Sequence, residues 1–380
     1  MNTPTMMGAF GPWAASLVGD ALPRYSFRRD TWPDIDEWRT EARQRTLDCL
    51  ALPDTGDTPA VTVHQIYHYD GLQVEELSWQ LPYGPPTEAI LLKPAGVSEP
   101  LPGTLALHDH AGKKYFGKRK IVQTSDDWHS HLLDVHYPYY GGVPWANELA
   151  KQGYVVLIHD AFSFASRRVL LQDVPDAIRN DLDDANPEAM NQIEAYNTWA
   201  AEHESTMAKS LFCAGTTWPG VFLAEDQRAL DVLCARDDVD ENRVGCGGLS
   251  GGGLRTAYLG GLDSRIQCAV CVGMMTTWRD FLLNKSHTHT WMVYIPHLPH
   301  DLDYPEIFGL RVPLPTMVLN DSDDQLFTLS EMKRADGILQ DVFEKAGAGD
   351  RYACNFYPGP HKFDLVMQAD AFAWFDHWLK

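Results

Sequence analysis

Regular alternation of apolar and polar residues begins after residue 60. The segments 61–69 and 72–81 alternate in this way on either side of Asp70-Gly71, and a third apolar segment follows at 89–93. A period of two predicts strands with one buried face, and Asp-Gly between two such strands predicts a tight hairpin turn. The patterned region is therefore expected to begin with an antiparallel hairpin and a third strand.

Beyond residue 100 the pattern changes to short, nearly continuous apolar runs separated by helical segments. The runs lie at 103–108, 154–159, 243–246, 266–275, 315–319 and 352–357. The helices are predicted at 144–152, 188–213, 223–236, 254–262 and 329–346, the second of them opening with a cap and first-turn proline at Asn186-Pro187-Glu188. Continuous apolar runs are typical of strands buried on both faces. We therefore predict an α/β fold with a mostly parallel central sheet and helices on both faces.

The predicted organisation is an N-terminal extension followed by one large α/β domain. Residues 1–58 contain a predicted helix at 33–50 and end in a linker rich in proline and glycine, and residues 59–380 carry the sheet pattern. Three stretches fit no compact strand–helix unit, at about 113–142, 163–215 and 278–312, and long insertions of this kind are typical of caps over a binding site. The tryptophan-rich extension either packs on the large domain or mediates a homodimer, and the sequence leaves both open.

Charge and cysteine usage narrow the function classes. The chain has 380 residues, with 52 Asp and Glu against 31 Lys and Arg, a net charge of −21. Such an acidic surface repels phosphate backbones and anionic lipid, so we expect no nucleic-acid or membrane partner. The N-terminus has no signal-peptide pattern, and seven scattered cysteines do not form a disulfide framework. The expected location is the cytoplasm.

The strongest local motif is Gly248-x-Ser250-x-Gly252. It follows directly on the apolar run ending at Cys246 and precedes a predicted helix. A serine on a sharp strand-to-helix turn is held with its hydroxyl exposed, and small residues are needed on both sides because strand and helix approach closely. The N–H of Gly251 would lie at a helix N-terminus, where a developing oxyanion is stabilised. Ser250 is therefore the candidate nucleophile.

A serine nucleophile needs a histidine base and an acid that orients it, and in this kind of turn both follow later in the chain. The run 315–319 ends in a carboxylate cluster containing Asp321, Asp323 and Asp324, and the last strand is followed by His361 in a Pro-Gly loop. Each group comes at the carboxyl end of a predicted strand, so all are expected at one edge of the sheet. The order and location fit a Ser-His-Asp triad, with the acid open among the three aspartates.

Together these motifs resemble the α/β-hydrolase superfamily, and residues 60–380 resemble its dienelactone-hydrolase and acetyl-xylan-esterase-like branch. The resemblance implies that Asp324 is the triad acid and that the backbone N–H groups of Gly251 and His110 form the oxyanion hole. Aspartate stands at positions 109 and 321, where the family usually has glycine. The expected reaction is cleavage of a carboxylic ester through an acyl-enzyme, without a cofactor or metal, and a small-molecule ester is the expected partner. A short acyl group or an acetylated carbohydrate is favoured.

Several alternatives stay open. Lactone or C–C bond hydrolysis uses the same triad, and a hydrolase fold can become a non-catalytic binding module. A zinc-dependent hydrolase is suggested by three His-x-His pairs, although H-E-x-x-H is missing from the sequence. Aromatic residues of the insertions could wall a substrate pocket or pack in the core: Trp128, Tyr137, Tyr139, Tyr140, Trp278, Trp291 and Tyr294.

Overall fold

A nine-stranded sheet forms the centre of the computed structural model, which describes residues 4–380. The strands are β1 (Val61–Tyr69), β2 (Leu72–Trp79), β3 (Thr87–Pro94), β4 (Leu101–Ala106), β5 (Val155–His159), β6 (Val239–Leu249), β7 (Ile266–Val272), β8 (Thr316–Asp321) and β9 (Tyr352–Tyr357). Their order is β1-β2-β3-β5-β4-β6-β7-β8-β9. The pairs β1–β2, β2–β3 and β3–β5 are antiparallel, and every other neighbouring pair is parallel. The predicted mixed, mostly parallel sheet is confirmed.

The first hairpin turns at the predicted dipeptide. Tyr69 pairs with Leu72 across the turn, and the two residues between them have positive φ, 49° for Asp70 and 79° for Gly71. Positive φ at both central positions makes a turn whose twist matches that of the strands it joins. The dipeptide therefore fixes the register of β1 on β2.

Helices cover both faces of the sheet. They are α1 (Gly11–Val18), α2 (Ile35–Leu50), α3 (Ser130–Tyr140), α4 (Trp145–Lys151), α5 (Asp176–Arg179), α6 (Met190–Ala214), α7 (Trp218–Cys234), α8 (Gly251–Leu262), α9 (Trp278–Asp280), α10 (Leu298–Asp301), α11 (Tyr304–Gly309), α12 (Leu329–Lys345) and α13 (Leu365–Leu379). Consecutive strand residues alternate between two cores: Leu105 and Leu157 pack with α2, α7, α8 and α12, whereas Ala106 and Ile158 pack with α4 and α13. Burial on both faces explains the continuous apolar runs.

The predicted start of the long insertion helix is wrong. Helix α6 begins at Met190, after Ala189 and without a side-chain cap, rather than at Asn186-Pro187-Glu188. The Glu188 carboxylate instead accepts hydrogen bonds from Tyr115 and Arg119 of the preceding insertion. Tertiary contacts therefore hold Glu188 outside the helix. Helix α7 also starts earlier than predicted, because the Thr217 hydroxyl caps the Gly220 N–H.

The C-terminal helix α13 was not predicted, although its pattern is in the sequence. Met367, Ala371, Phe375 and Leu379 recur at four-residue spacing on its buried face, and the Asp364 carboxylate caps its first turn. Helix α3 was also missed, inside the 113–142 insertion. That insertion packs on the 163–215 insertion through a third apolar cluster, which includes Phe116 and Ile193.

The N-terminal extension packs into the core on one face of the sheet. Phe27, Trp38 and Leu50 are buried in the same cluster as the residues of α7 and α8. The buried Glu306 of α11 accepts hydrogen bonds from the Ser26 hydroxyl at 2.7 Å and the Phe27 N–H at 3.1 Å. The extension is therefore tied to the 278–312 insertion by polar as well as apolar contacts.

The seven cysteines are all unpaired, and Cys246, Cys268 and Cys271 are buried in or beside the sheet. Burial raises the pKa of each of these three thiols, so they pack as small apolar side chains. Within residues 4–380, none of the helices has the length and apolar character needed to cross a membrane.

Candidate active site

Ser250 occupies the sharp turn between β6 and α8. Its φ and ψ are 81° and −105°, and its N–H donates to the Val272 carbonyl of the neighbouring strand at 2.9 Å. A positive φ at a residue with a β-carbon costs about 1–3 kcal/mol and persists only where the surroundings enforce it. The turn presents the Ser250 side chain at the carboxyl edge of the sheet.

The glycines around Ser250 are required by the backbone of the neighbouring loop. A β-carbon at Gly248 or Gly252 would lie 2.1 or 2.0 Å from the Leu107 carbonyl oxygen. These distances are far inside van der Waals contact, and the obstacle is backbone that cannot rotate away. The loop after β4 can therefore pack against the turn only because both flanking positions of Gly248-x-Ser250-x-Gly252 are glycine.

The predicted base and one of the three candidate acids are hydrogen-bonded. His361 Nδ1 lies 2.6 Å from Asp324 Oδ2, and Asp324 Oδ1 accepts from the Leu326 N–H at 2.8 Å. Asp321 accepts instead from the Lys362 N–H, and Asp323 from the Gly359 N–H. Because a carboxylate only accepts, the His361 proton lies on Nδ1, and Nε2 is unprotonated in the neutral ring.

Ser250 and His361 line one cleft of about 370 Å³. His361 Nε2 is buried and has no hydrogen-bond partner among residues 4–380. Its ring lies against Gly273, where a β-carbon would be 2.8 Å from the ring Cε1, and the Tyr139 ring packs edge-on against it. The cleft thus contains a serine hydroxyl and an imidazole nitrogen with a free lone pair.

The two predicted oxyanion donors lie side by side. A β-carbon built on Gly251 would be 2.9 Å from the His110 nitrogen. The Gly251 N–H is in the first turn of α8 and has no intrahelical acceptor. The structure therefore brings together the backbone groups that were predicted from two distant parts of the chain.

Glu204 of α6, which sequence reasoning missed, holds the His110 side chain. The ring Nδ1 accepts from the Gly112 N–H at 3.0 Å, so Nε2 carries the proton and donates to Glu204 at 2.9 Å. Glu204 also receives Lys114 Nζ at 2.6 Å and the Trp291 N–H at 3.1 Å. Burial alone would raise the pKa of Glu204, but His110 and Lys114 lower it to about 2. No local motif marks Glu204, because its partners come from two segments that are both distant from it in the sequence.

None of the three His-x-His pairs belongs to a group of three or more metal-ligating side chains among residues 4–380. Both ring nitrogens of His108 bond to backbone, at Asp109 and Ala161, and burial lowers its pKa well below the usual range. Asp321, Asp324 and His361 have donor atoms within 4.8 Å of one another and could hold a cation. A cation on His361 Nδ1 would replace the hydrogen bond to Asp324, so the two arrangements exclude each other.

Of the insertion aromatics that could wall a pocket or pack in a core, only Tyr139 lines the cleft shared by Ser250 and His361, while Tyr140 and Trp278 are buried in the cores. The 278–312 insertion contributes a polar part of the wall, at His287, Thr288, His289 and Thr290. A second, apolar pocket of about 30 Å³ adjoins Ser250 and Gly251 and is lined by Ala161, Phe164, Phe222, Leu254, Met274, Met292 and Val293.

The sheet order, the strand-to-helix turn and the edge on which these residues meet are those of the α/β-hydrolase fold. Over 345 residues the chain is 25% identical to YtaP of Bacillus subtilis (strain 168), a provisionally named hydrolase, covering 90% of this chain and 100% of YtaP. No protein-family model matches the sequence.

Solved structures with a similar fold include two proteins described as esterases. A provisionally assigned acetyl xylan esterase from Bacteroides fragilis NCTC 9343 has a TM-score of 0.68 and 17% identity, over 93% of this chain and 83% of that one. A glucuronoyl esterase from Solibacter usitatus has a TM-score of 0.62 and 14% identity, over 95% and 98%. The α/β-hydrolase fold and the acetyl-xylan-esterase-like resemblance are confirmed. The similar proteins are hydrolases and esterases, which is the reaction class predicted from the sequence.

Proposed function

We propose that this chain is a serine esterase that cleaves short-acyl esters through an acyl-enzyme. Ser250 is the nucleophile, His361 the base and Asp324 the acid that orients it, and the N–H groups of Gly251 and His110 bind the oxyanion. The observation that carries the proposal is the cleft shared by Ser250 and the unpaired Nε2 of His361. The opposite nitrogen of that ring is 2.6 Å from a buried carboxylate.

The reaction begins when Ser250 Oγ attacks the ester carbonyl carbon and its proton passes to His361 Nε2. The carbonyl oxygen becomes an oxyanion, which accepts hydrogen bonds from the Gly251 and His110 N–H groups. Asp324 stabilises the imidazolium, which then protonates the departing alcohol as the C–O bond breaks. Water hydrolyses the acyl-enzyme by the same steps, returning the proton to Ser250.

The cavities beside Ser250 support a substrate with a small acyl group and a polar alcohol. The apolar pocket of about 30 Å³ has room for one or two carbon atoms, because a cavity needs about 10–15 Å³ to hold one group of the size of a water molecule. Hydroxyl and imidazole groups line part of the larger cleft, including those of His287, Thr288 and Thr290. This combination favours an acetyl ester of a polyhydroxylated alcohol such as a carbohydrate.

The test is a panel of p-nitrophenyl esters of rising chain length, acetylated sugars, lactones and methyl esters. We expect kcat/KM to be highest for acetyl esters and to fall with each added carbon. Ser250→Ala should lose about 10⁴-fold or more in kcat. Ser264→Ala is the matched control, since this serine is exposed on the turn before β7, and its activity should be unchanged.

Three outcomes would change the assignment. Normal ester turnover by Ser250→Ala would refute the nucleophile, and inhibition by a chelator but not by a serine-directed organophosphonate would favour a metal-dependent hydrolase. Faster turnover of lactones than of any open ester would favour the lactone hydrolase alternative.

A further inference from the structure

Lys120 is a fully buried cation directly behind the predicted oxyanion loop. It ends a short 3₁₀ turn, Lys118–Lys120, in the 113–142 insertion, and its side chain has no exposed surface. Its ammonium donates hydrogen bonds to the backbone carbonyls of Asp109 and of His110, the latter at 3.1 Å, and lies 4.8 Å from the centre of the Phe164 ring. The proposed reaction gives this lysine no role.

The charge of Lys120 is matched by a buried aspartate of the oxyanion loop. Asp109 Oδ2 lies 3.5 Å from Lys120 Nζ, while Asp109 Oδ1 accepts from the Tyr140 hydroxyl. Burial lowers the pKa of Lys120 to about 8, with Asp109 acting in the opposite direction. The ammonium form therefore predominates at neutral pH, held in place by a counter-charge.

The hydrogen bond to the Asp109 carbonyl fixes the direction of the His110 N–H. A trans peptide is planar, and its C=O and N–H point in opposite directions. With the Asp109 carbonyl turned toward Lys120, the His110 N–H points away from Lys120. Gly251 is a close neighbour, because a β-carbon built on it would lie 2.9 Å from the His110 nitrogen. An ammonium on the carbonyl oxygen also draws electron density from the amide, which makes the N–H a stronger donor.

We propose that Lys120 is a positioning residue for the oxyanion hole, which orients and polarises the Asp109–His110 peptide so that its N–H stabilises the transition state. The inference rests on the proposed esterase function.

The loop itself does not depend on Lys120 alone. The His110 ring is held independently by hydrogen bonds with Glu204 and with the Gly112 N–H. Loss of the ammonium is therefore expected to free and depolarise the peptide while the loop keeps its place. This predicts an effect on the chemical step rather than on substrate binding.

The test compares Lys120→Met with wild type on p-nitrophenyl acetate. We expect kcat to fall about 10- to 100-fold, somewhat less than for deletion of an oxyanion donor, with KM changed by about twofold or less. A trifluoromethyl ketone, whose hemiketal adduct with Ser250 Oγ mimics the tetrahedral oxyanion, should bind more weakly by the same factor as kcat/KM falls. Lys113→Met is the matched control, because Lys113 lies in the same insertion and its ammonium has no ion pair or hydrogen bond within residues 4–380.

The double variant Lys120→Met/Asp109→Asn separates catalysis from charge burial, because it removes both charges and keeps an oxygen for the Tyr140 hydroxyl. A folded double variant that retains the kcat defect supports the proposal, whether or not the single variant folds. A double variant with wild-type kcat, or a folded Lys120→Met altered in KM alone, overturns it. Ser250→Ala is assayed alongside: if it is active, the esterase function itself fails, whereas full activity in Lys120→Met with an inactive Ser250→Ala refutes the role of Lys120 alone.

Discussion

Replacing Asp324 with asparagine should reverse the tautomer of His361. In the structure Asp324 Oδ1 accepts from the Leu326 N–H at 2.8 Å and Oδ2 accepts from His361 Nδ1 at 2.6 Å. In Asp324→Asn, the amide oxygen is needed for the Leu326 N–H, so the amide NH₂ faces His361 and donates to Nδ1. The imidazole proton then moves to Nε2, the atom that must accept the proton of Ser250.

The expected loss in kcat is about 10⁴-fold, the cost of the wrong tautomer in a serine triad, or about 5 kcal/mol of transition-state stabilisation. Steady-state hydrolysis of p-nitrophenyl acetate at pH 8 measures it directly. Asp321→Asn and Asp323→Asn are the matched controls, because their carboxylates accept only from backbone N–H groups, at Lys362 and Gly359. A loss of less than tenfold in Asp324→Asn, or a larger loss in either control, would refute the assignment of the acid.

Three further predictions concern the pocket, the turn and the extension. Met292→Ala enlarges the apolar pocket, so kcat/KM for butanoate relative to acetate should rise about tenfold. Gly252→Ala should lower the free energy of unfolding in urea by about 3 kcal/mol or more, whereas Gly337→Ala, with open space at its β-carbon, should raise it by about 0.5–1 kcal/mol. Burial raises the pKa of the Glu306 carboxyl from 4.5 to about 7. The stability of the folded protein should therefore decline as the pH rises from 4.5 to about 7, because this carboxyl ionises less readily in the folded than in the unfolded state. Thermal melts of Glu306→Gln should lack this decline, and a parallel decline in wild type and variant would contradict the prediction.

Sequence patterns were most informative where the physical cause is local. The Asp70-Gly71 turn, the continuous apolar strands and the glycines flanking Ser250 each follow from backbone geometry or burial within a few residues. Helix α13 carried an equally local signal at four-residue spacing and was overlooked. The start of α6 was different, because Tyr115 and Arg119 bind Glu188 and hold it outside the helix, and neither partner is near it in sequence.

The residues that line the cleft could not be predicted from the sequence for the same reason, because segments distant in the chain form it together. An aromatic residue in an insertion packs equally well in a core or on a cleft wall, and only the path of the loop decides which. Tyr139 and Tyr140 are adjacent, yet the first lines the cleft and the second is buried against Asp109. The polar wall at His287–Thr290 arises because the 278–312 insertion folds back over the sheet edge.

The sequence by itself determined the class of fold, the turn that carries Ser250 and the strand ends that carry the acid and the histidine, because these depend on periodicity and on chain order. Only the tertiary structure decided which aspartate contacts His361, how Glu204 and Lys120 contact the loop around His110, and which side chains line the cleft. Those contacts join residues up to 94 positions apart, as in the pair His110 and Glu204. These contacts form because the fold brings the two groups to hydrogen-bonding distance and orientation, and a pattern within a few neighbouring residues carries no information about that placement.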